Sequence, residues 1–303
     1  MDVFLQHIIN GVAVGTIYSL IALGYTMVYG ILSLVNFAHS DVFMIGAFSG
    51  YYVARWLGIG VGGADHPFGH LTLVMMTAMM VCAALALIIE RFAYRPLRNA
   101  PRLNVLITAI GVSLFLEYAG QVLFGADPKF FPQFFETKPL IASGALHITN
   151  VQCLTLAISL SLMAALHLFI HKTRTGTAMR AVSHSYTVSS LMGISVNKII
   201  VVTFLIGSAL AGAAGVLVSC AYPKIEPLMG VLPGLKAFVA AVLGGIGHIP
   251  GAMFGGIIIG LLEEMIVGYG YSSYRDGLAF AILILILLYR PAGLFGNHIP
   301  EKV

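Results

Sequence analysis

The chain has 303 residues, of which 59% are hydrophobic and only 9% charged, and it carries a net charge of +4. A soluble globule draws roughly a quarter of its residues from Asp, Glu, Lys and Arg, so a water-soluble enzyme domain, a nucleic-acid reader and a disordered hub are all excluded. A hydrocarbon layer about 30 Å thick takes about 20 helical residues to cross, and this length holds eight or nine such spans with short connections.

Apolar runs predict spans over residues 7–32, 41–58, 71–90, 104–124, 150–170 and 198–219, then 234–247, 251–268 and 277–290, the seventh of them short. The runs are apolar almost all round, which suits helices that face lipid and one another. They are continuous rather than alternating, so a membrane barrel is not expected. The fold class that follows is all-α: a polytopic membrane helix bundle of about eight or nine spans, one domain over residues 1–303, with two broken or re-entrant segments. No basic residue precedes Arg55, so the first span lacks the charged leader of a cleaved signal and is expected to stay in the membrane. Cys82, Cys153 and Cys220 are odd in number and lie in or beside apolar runs, which reads as packing rather than a disulfide framework.

The first break follows the first span, at Asn36-Phe37-Ala38-His39-Ser40-Asp41, and the second is Gly244-Gly245-Ile246-Gly247-His248-Ile249-Pro250-Gly251. Irregular backbone at membrane depth is tolerated only where protein buries it or a wet cavity borders it. Both breaks therefore point to a translocation path, lined by Asn36, His39 and Asp41 at one and by Gly244, Gly245, Gly247 and His248 at the other. A tight turn at the membrane surface is the alternative for each. Glu117, inside the fourth span, is a further path candidate, as a polar lining or as a partner of Lys236. Lys236, Glu263 and Glu264 fall near predicted span ends and read as interfacial charges that reach for the headgroups.

Glycines four apart recur at Gly11 and Gly15, Gly46 and Gly50, Gly251 and Gly255, and Gly256 and Gly260, where backbones can approach closely, chiefly within this chain. His66 and His70, and His167 and His171, share a four-residue spacing, but Pro67 and Gly69 argue against helix at the first pair and no third ligand lies near the second. No metal site is expected. The sequence has no Gly-x-x-x-x-Gly-Lys-Ser/Thr, no Gly-x-Ser-x-Gly and no His-Glu-x-x-His, so it neither binds ATP alone nor carries an obvious hydrolase, and no cofactor is expected.

Orientation follows from short basic loops. Residues 91–104 carry Arg91, Arg95, Arg98 and Arg102 with no acid, and residues 171–198 carry Lys172, Arg174, Arg180 and Lys198 with none, so both loops are expected in the cytoplasm. In the loop 125–149, Asp127, Lys129, Glu136 and Lys138 cancel, and its Pro and Phe content suits a folded external connection. The N-terminus then lies outside, while Arg290, Lys302 and the C-terminus lie inside; Arg55 is the one dissenting charge. Within 173–198 a short helix is expected, capped by Thr175 or Thr177, with Val182, Tyr186, Leu191 and Met192 on one apolar face and Gly193 as its stop. Ser195 or Asn197 can cap the next span. Such a helix is a docking element for another protein or a membrane-surface helix without a partner.

These residues resemble the permease subunit of the branched-chain amino-acid class of ABC importers, and more distantly the ribose-type sugar permeases. The resemblance covers nearly the whole chain and rests on Ile21 through Gly30, Asn36-Phe37-Ala38-His39, Glu90 through Arg98, and Lys236-Ala237-Phe238 running on to Pro250-Gly251-Ala252. It implies a non-catalytic membrane subunit in a bacterial cytoplasmic (inner) membrane, forming half of a path. It also implies a second permease chain, two cytoplasmic ATPase subunits and an external solute-binding protein. In this resemblance the loop 173–198 couples to an ATPase through Gly176, Arg180, Ala181, Leu191, Gly193 and Ile194. Two departures stand out: Ser183-His184-Ser185 occupies positions where relatives carry acids, and Ser40 replaces a usual glycine, which would stiffen the first break if its φ were positive. From the residues alone, an ion-coupled secondary transporter using Asp41, Glu117 or Glu263 is the second reading.

Overall fold

The computed structural model describes residues 2–59, 66–98, 100–143 and 146–296, with the side chains of residues 2, 102, 141–143 and 146 left out of the description. Lys302 and the C-terminus therefore lie outside the described residues. Among the described residues eleven α-helices run in chain order: α1 Asp2–Leu32, α2 His39–Trp56, α3 Pro67–Ile89, α4 Arg102–Phe124, α5 Asn150–Lys172, α6 Arg174–His184, α7 Tyr186–Leu191, α8 Val196–Ala221, α9 Val231–Gly244, α10 Ile249–Gly268 and α11 Arg275–Tyr289. Seven helical segments among the described residues are long and apolar enough to cross a membrane. They are built on α1, α3, α4, α5, α8, α10 and α11. The predicted spans correspond to these seven together with α2 and α9. At 14 residues, α9 is only about 21 Å long and cannot cross alone.

The short strands lie in the loop 125–149 and in the link after α8. β1 Lys129–Phe130 pairs antiparallel with β4 Lys224–Ile225, and β2 Pro139–Ser143 pairs with β3 Leu146–Thr149. Thr149 then starts α5 through a capping box with Gln152. This gives the bundle two distinguishable ends, a strand end and an α6–α7 end.

The core is built where small residues let helices touch. α1 runs antiparallel to α10: a Cβ on Gly15 would lie 2.7 Å from the Ile257 Cα, and one on Gly11 would lie 2.8 Å from the Leu261 Cα. Gly260 and Gly256 return the contact against Gly15 and Ser19. Ser19 Oγ donates to the Met253 carbonyl at 2.6 Å across the same seam. Gly46 meets Gly212 of α8, and Gly255 meets the Ala240 carbonyl of α9. The four-residue glycine pairs are thus internal packing, which in lipid replaces the hydrophobic drive available in water. Accordingly α1 and α8 are the buried centre, while α4 and α11 expose most of their surface.

Several sequence expectations are corrected. His66 and His70 are separated by a helix start rather than a helix break, because Pro67 occupies the first turn of α3, where its missing N–H costs nothing. Their rings are 6.4 Å apart, and no group of three metal-ligating side chains occurs among the described residues. Ser40 lies within α2, and the residue with positive φ in this region is Ser33, at 54°, directly after α1 and ahead of the first break. The basic stretch after α3 continues as a π turn over Glu90–Tyr94 and a 3-10 turn over Arg95–Leu97. Arg98 folds back to pair with Glu90 and to donate to Asn197. Cys82 is buried, Cys153 exposed and Cys220 between, all free.

Candidate translocation path

After Leu32 at the α6–α7 end, the chain turns back into the bundle before α2 begins. The depth is set by packing: His39 fills the space beside Gly24 of α1, and Gly24 in turn packs on Gly207 of α8. Gly207 lies about 16 Å along α8 from Val196, so α2 starts near mid-bundle and runs to the strand end. The chain re-enters a second time after α8, and Gly230 and Gly234 pack directly on Ser40. From there α9 runs the opposite way, to the α6–α7 end. Two half-helices therefore bring their N-termini, and with them the positive ends of both helix dipoles, together at Ser40.

The first-break residues gather around this junction. Asn36 is buried and its side-chain oxygen accepts a hydrogen bond from Tyr94 Oη at 2.8 Å. His39 is buried edge-on to Tyr25, 4.9 Å between ring centres, and neither ring nitrogen has a partner among the described residues. Asp41 is buried in the first turn of α2, where the dipole favours an acid, and accepts from Ser113 Oγ of α4. Glu117, one turn further along α4, is half-buried on the same helix.

The second break lies elsewhere. Gly244, Gly245, Gly247 and His248 form the turn from α9 to α10 at the α6–α7 end. Gly245 has φ +98° and Gly247 φ +94°, which a side chain would strain. Gly244 packs on Gly251, and a Cβ on Gly30 would lie 3.4 Å from Gly247. His248 caps α10 by accepting from the Gly251 N–H at 3.0 Å, and its ring stacks on Phe295. The mid-bundle residues on that side are instead Gly230 to Gly234, which the sequence reading passed over because the break sits in a short polar link rather than inside an apolar run.

The interfacial reading of Lys236 and Glu263 is overturned. Because α9 begins inside the bundle, Lys236 is buried, and its Nζ lies 2.6 Å from Glu263 Oε1 and 2.6 Å from Asp276 Oδ1. Glu263 also takes Arg275 Nε at 3.1 Å and the Tyr18 hydroxyl at 3.0 Å. Lys236 thus has Glu263 and Asp276 as partners, not Glu117. The signal available in the sequence was two acids and a lysine inside apolar runs, residues that lipid penalises unless they pair.

The loop 173–198 holds two short helices rather than one. Thr173, not Thr175 or Thr177, caps α6 by accepting from the Gly176 N–H at 3.0 Å. Ser185 breaks the run and caps α7, and Gly193, at φ +80°, stops it as expected. Ser195 flanks α8 without a side-chain cap bond, and the Asn197 side chain accepts from Arg98. The kink splits the expected apolar face: Val182 is buried in the bundle, while Leu191 and Met192 are 82% and 77% exposed. Of the coupling candidates, Gly176 is packed tightly on the end of α5, Ala181 and Ile194 are half-buried, and Arg180, Leu191 and Gly193 face out. Tyr186 ties this loop to the last turn of α1 by donating to the Ile31 carbonyl, and burial raises its phenol above the ordinary range, which keeps the donor proton in place.

A family described as branched-chain amino acid transport system, permease component, matches residues 7–287. The chain belongs to this family. The high-affinity branched-chain amino acid transport system permease protein LivH of Salmonella typhimurium is 41% identical over 303 residues, 99% of this chain and 98% of the relative. The corresponding BraD protein of Pseudomonas aeruginosa is 41% identical over the same shares. The ribose import permease protein RbsC of Escherichia coli is 32% identical over 123 residues, 39% of this chain and 38% of that one. The permease is therefore a multi-pass, non-catalytic transport subunit whose ATPase is a separate chain, and the ion-coupled reading finds no support.

Proposed function

We propose that this permease imports branched-chain amino acids as one of two permease chains in an ATP-driven importer of the bacterial inner membrane. It works with two cytoplasmic ATPases and an external binding protein. The strand end and the N-terminus face outward, and the α6–α7 end faces the cytoplasm. The observation that carries this reading is the pair of half-helices meeting at Ser40 inside a chain of this family. Two opposed half-helices give the bundle a mid-depth joint that can hinge without breaking a full span.

In this mechanism the ATPases grip α6 and α7, with Gly176, Ala181 and Ile194 holding the loop in shape and Arg180, Leu191 and Gly193 on the contacting side. Movement of the loop reaches the end of α1, just ahead of the first break, through Tyr186 and Ile31. Asn36, His39, Asp41 and Glu117 border the path at mid-depth, and Gly244, Gly245, Gly247 and His248 form its cytoplasmic end. Selectivity belongs to the binding protein, so the path needs only weak polar contacts.

The test is uptake of labelled leucine by the whole purified complex in proteoliposomes. Uptake is expected to need both ATP and the binding protein and to persist with a protonophore. Uptake that ignores ATP and collapses with the protonophore contradicts the proposal.

A further inference from the structure

At the strand end, a cavity of about 480 Å³ opens between α1, α5, the end of α8 and α10, roofed by residues 131–137. Its volume is within the ordinary range for small-molecule sites. Most of the wall is apolar, including Val14, Ile17, Leu154, Leu217 and the rings of Phe131 and Phe134. Two polar groups in the wall have unused bonding capacity, of opposite kinds.

The first is Asn10. Gln6 Nε2 donates to Asn10 Oδ1 at 2.9 Å and Gln152 Nε2 donates to the same oxygen at 3.1 Å. Neither glutamine can be turned round. Gln6 Oε1 accepts from the His147 N–H and its Nε2 also reaches the His147 carbonyl, while Gln152 Oε1 accepts from the Thr149 N–H. Asn10 must therefore present its oxygen to both, and its NH₂ has no acceptor among the described residues.

The second is Glu264. Its residue is 9% exposed, yet its nearest basic side-chain nitrogens, Arg275 Nη2 at 3.8 Å and His7 Nδ1 at 3.9 Å, lie beyond hydrogen-bond reach. The neighbouring charges explain why. Lys236 and Arg275 make their short contacts to Glu263 and Asp276, which leaves Glu264 only the longer contact to Arg275. Glu264 therefore has an ion-pair neighbour but no direct hydrogen-bond donor among the described residues, and an incoming ammonium group can supply one. His7, one turn before Asn10 on α1, faces Glu264, so the spare donor and the spare acid border one cavity.

We infer that this cavity binds a zwitterionic α-amino acid with an aliphatic side chain: its ammonium at Glu264, its carboxylate at Asn10, its side chain against the apolar wall. The assignment rests on the importer reading above and adds a holding site inside one permease chain, ahead of the mid-bundle joint.

The experiment is saturation-transfer NMR on the whole complex in lipid nanodiscs, without nucleotide or binding protein. The probes are L-leucine, 4-methylpentanoate, which lacks the ammonium, and isoamylamine, which lacks the carboxylate. Wild type is expected to bind leucine more tightly than either fragment. Glu264→Gln should weaken leucine and isoamylamine by about tenfold or more, the usual loss of a charged hydrogen bond, and leave 4-methylpentanoate unchanged. Asn10→Asp should do the reverse, weakening leucine and 4-methylpentanoate while sparing isoamylamine. The two opposite patterns exclude a general folding defect. Leucine binding indifferent to both variants, or absent from a wild-type complex that still imports leucine, overturns the inference and leaves the importer reading standing. Failure of import itself sinks that reading separately.

Discussion

Replacing Glu263 by Ala is expected to destabilise the folded protein by about 3–5 kcal/mol, the usual consequence of removing one member of a buried ion pair. Glu263 is fully buried and collects three partners from three helices: Lys236 of α9, Arg275 of α11 and the Tyr18 hydroxyl of α1. Without it, Lys236 keeps Asp276, which is half exposed, and Arg275 keeps Glu264 at 3.8 Å, a poorer contact. Lys236→Met should cost less, because Glu263 retains Arg275 and Tyr18. The double variant Lys236→Met with Glu263→Ala should lose less than the sum of the two single losses, since it leaves neither of the paired charges buried without the other. Thermal unfolding of the purified protein in detergent reads all three. Equal, additive losses from the two single variants would contradict a coupled network that holds α9 in place.

Leu191→Asp with Met192→Asp should leave the fold intact and abolish assembly with the ATPases. Both side chains point away from the bundle, at 82% and 77% exposure, so charge there displaces no packing of this chain. At a docking surface, exposed large apolar residues are the usual anchors, and burying a carboxylate in their place is strongly unfavourable. Co-purification of ATPase with the permease should be lost while the melting temperature of the isolated permease stays unchanged. A matching change in Val182, which is buried, should instead unfold the loop. Retained ATPase in the doubly charged variant would show that α7 is not the docking element.

The spans were legible because hydrophobicity alone decides which segments lipid accepts. Predicted spans such as 104–124 and 251–268 fall within about two residues of α4 and α10. The glycine pairs were legible as close contacts, and internal packing was the stated expectation for them. What the sequence left hidden depends on where two distant segments meet. That α9 starts at mid-depth follows from Gly230 and Gly234 packing on Ser40, nearly two hundred residues away, and nothing local to 222–230 marks it. Lys236 then reads as interfacial in a list of spans and as buried in the bundle. The loop face failed for a nearer reason: Ser185 can cap a new helix, so a run that keeps helical spacing from Val182 to Leu191 is broken in two. For the candidate path, Asn36, His39 and Asp41 do gather at one place, but the second break gathers with α6 and the first-span terminus instead.

The central claim is that this protein gates a path and supplies no power of its own. The direct measurement is accumulation of labelled leucine by liposomes holding the permease chain alone, against liposomes holding the complete complex with ATP and binding protein. The complex should concentrate leucine inside while the lone chain, under any ion gradient, reaches no more than equilibrium. Concentration of leucine by the lone chain would contradict the account.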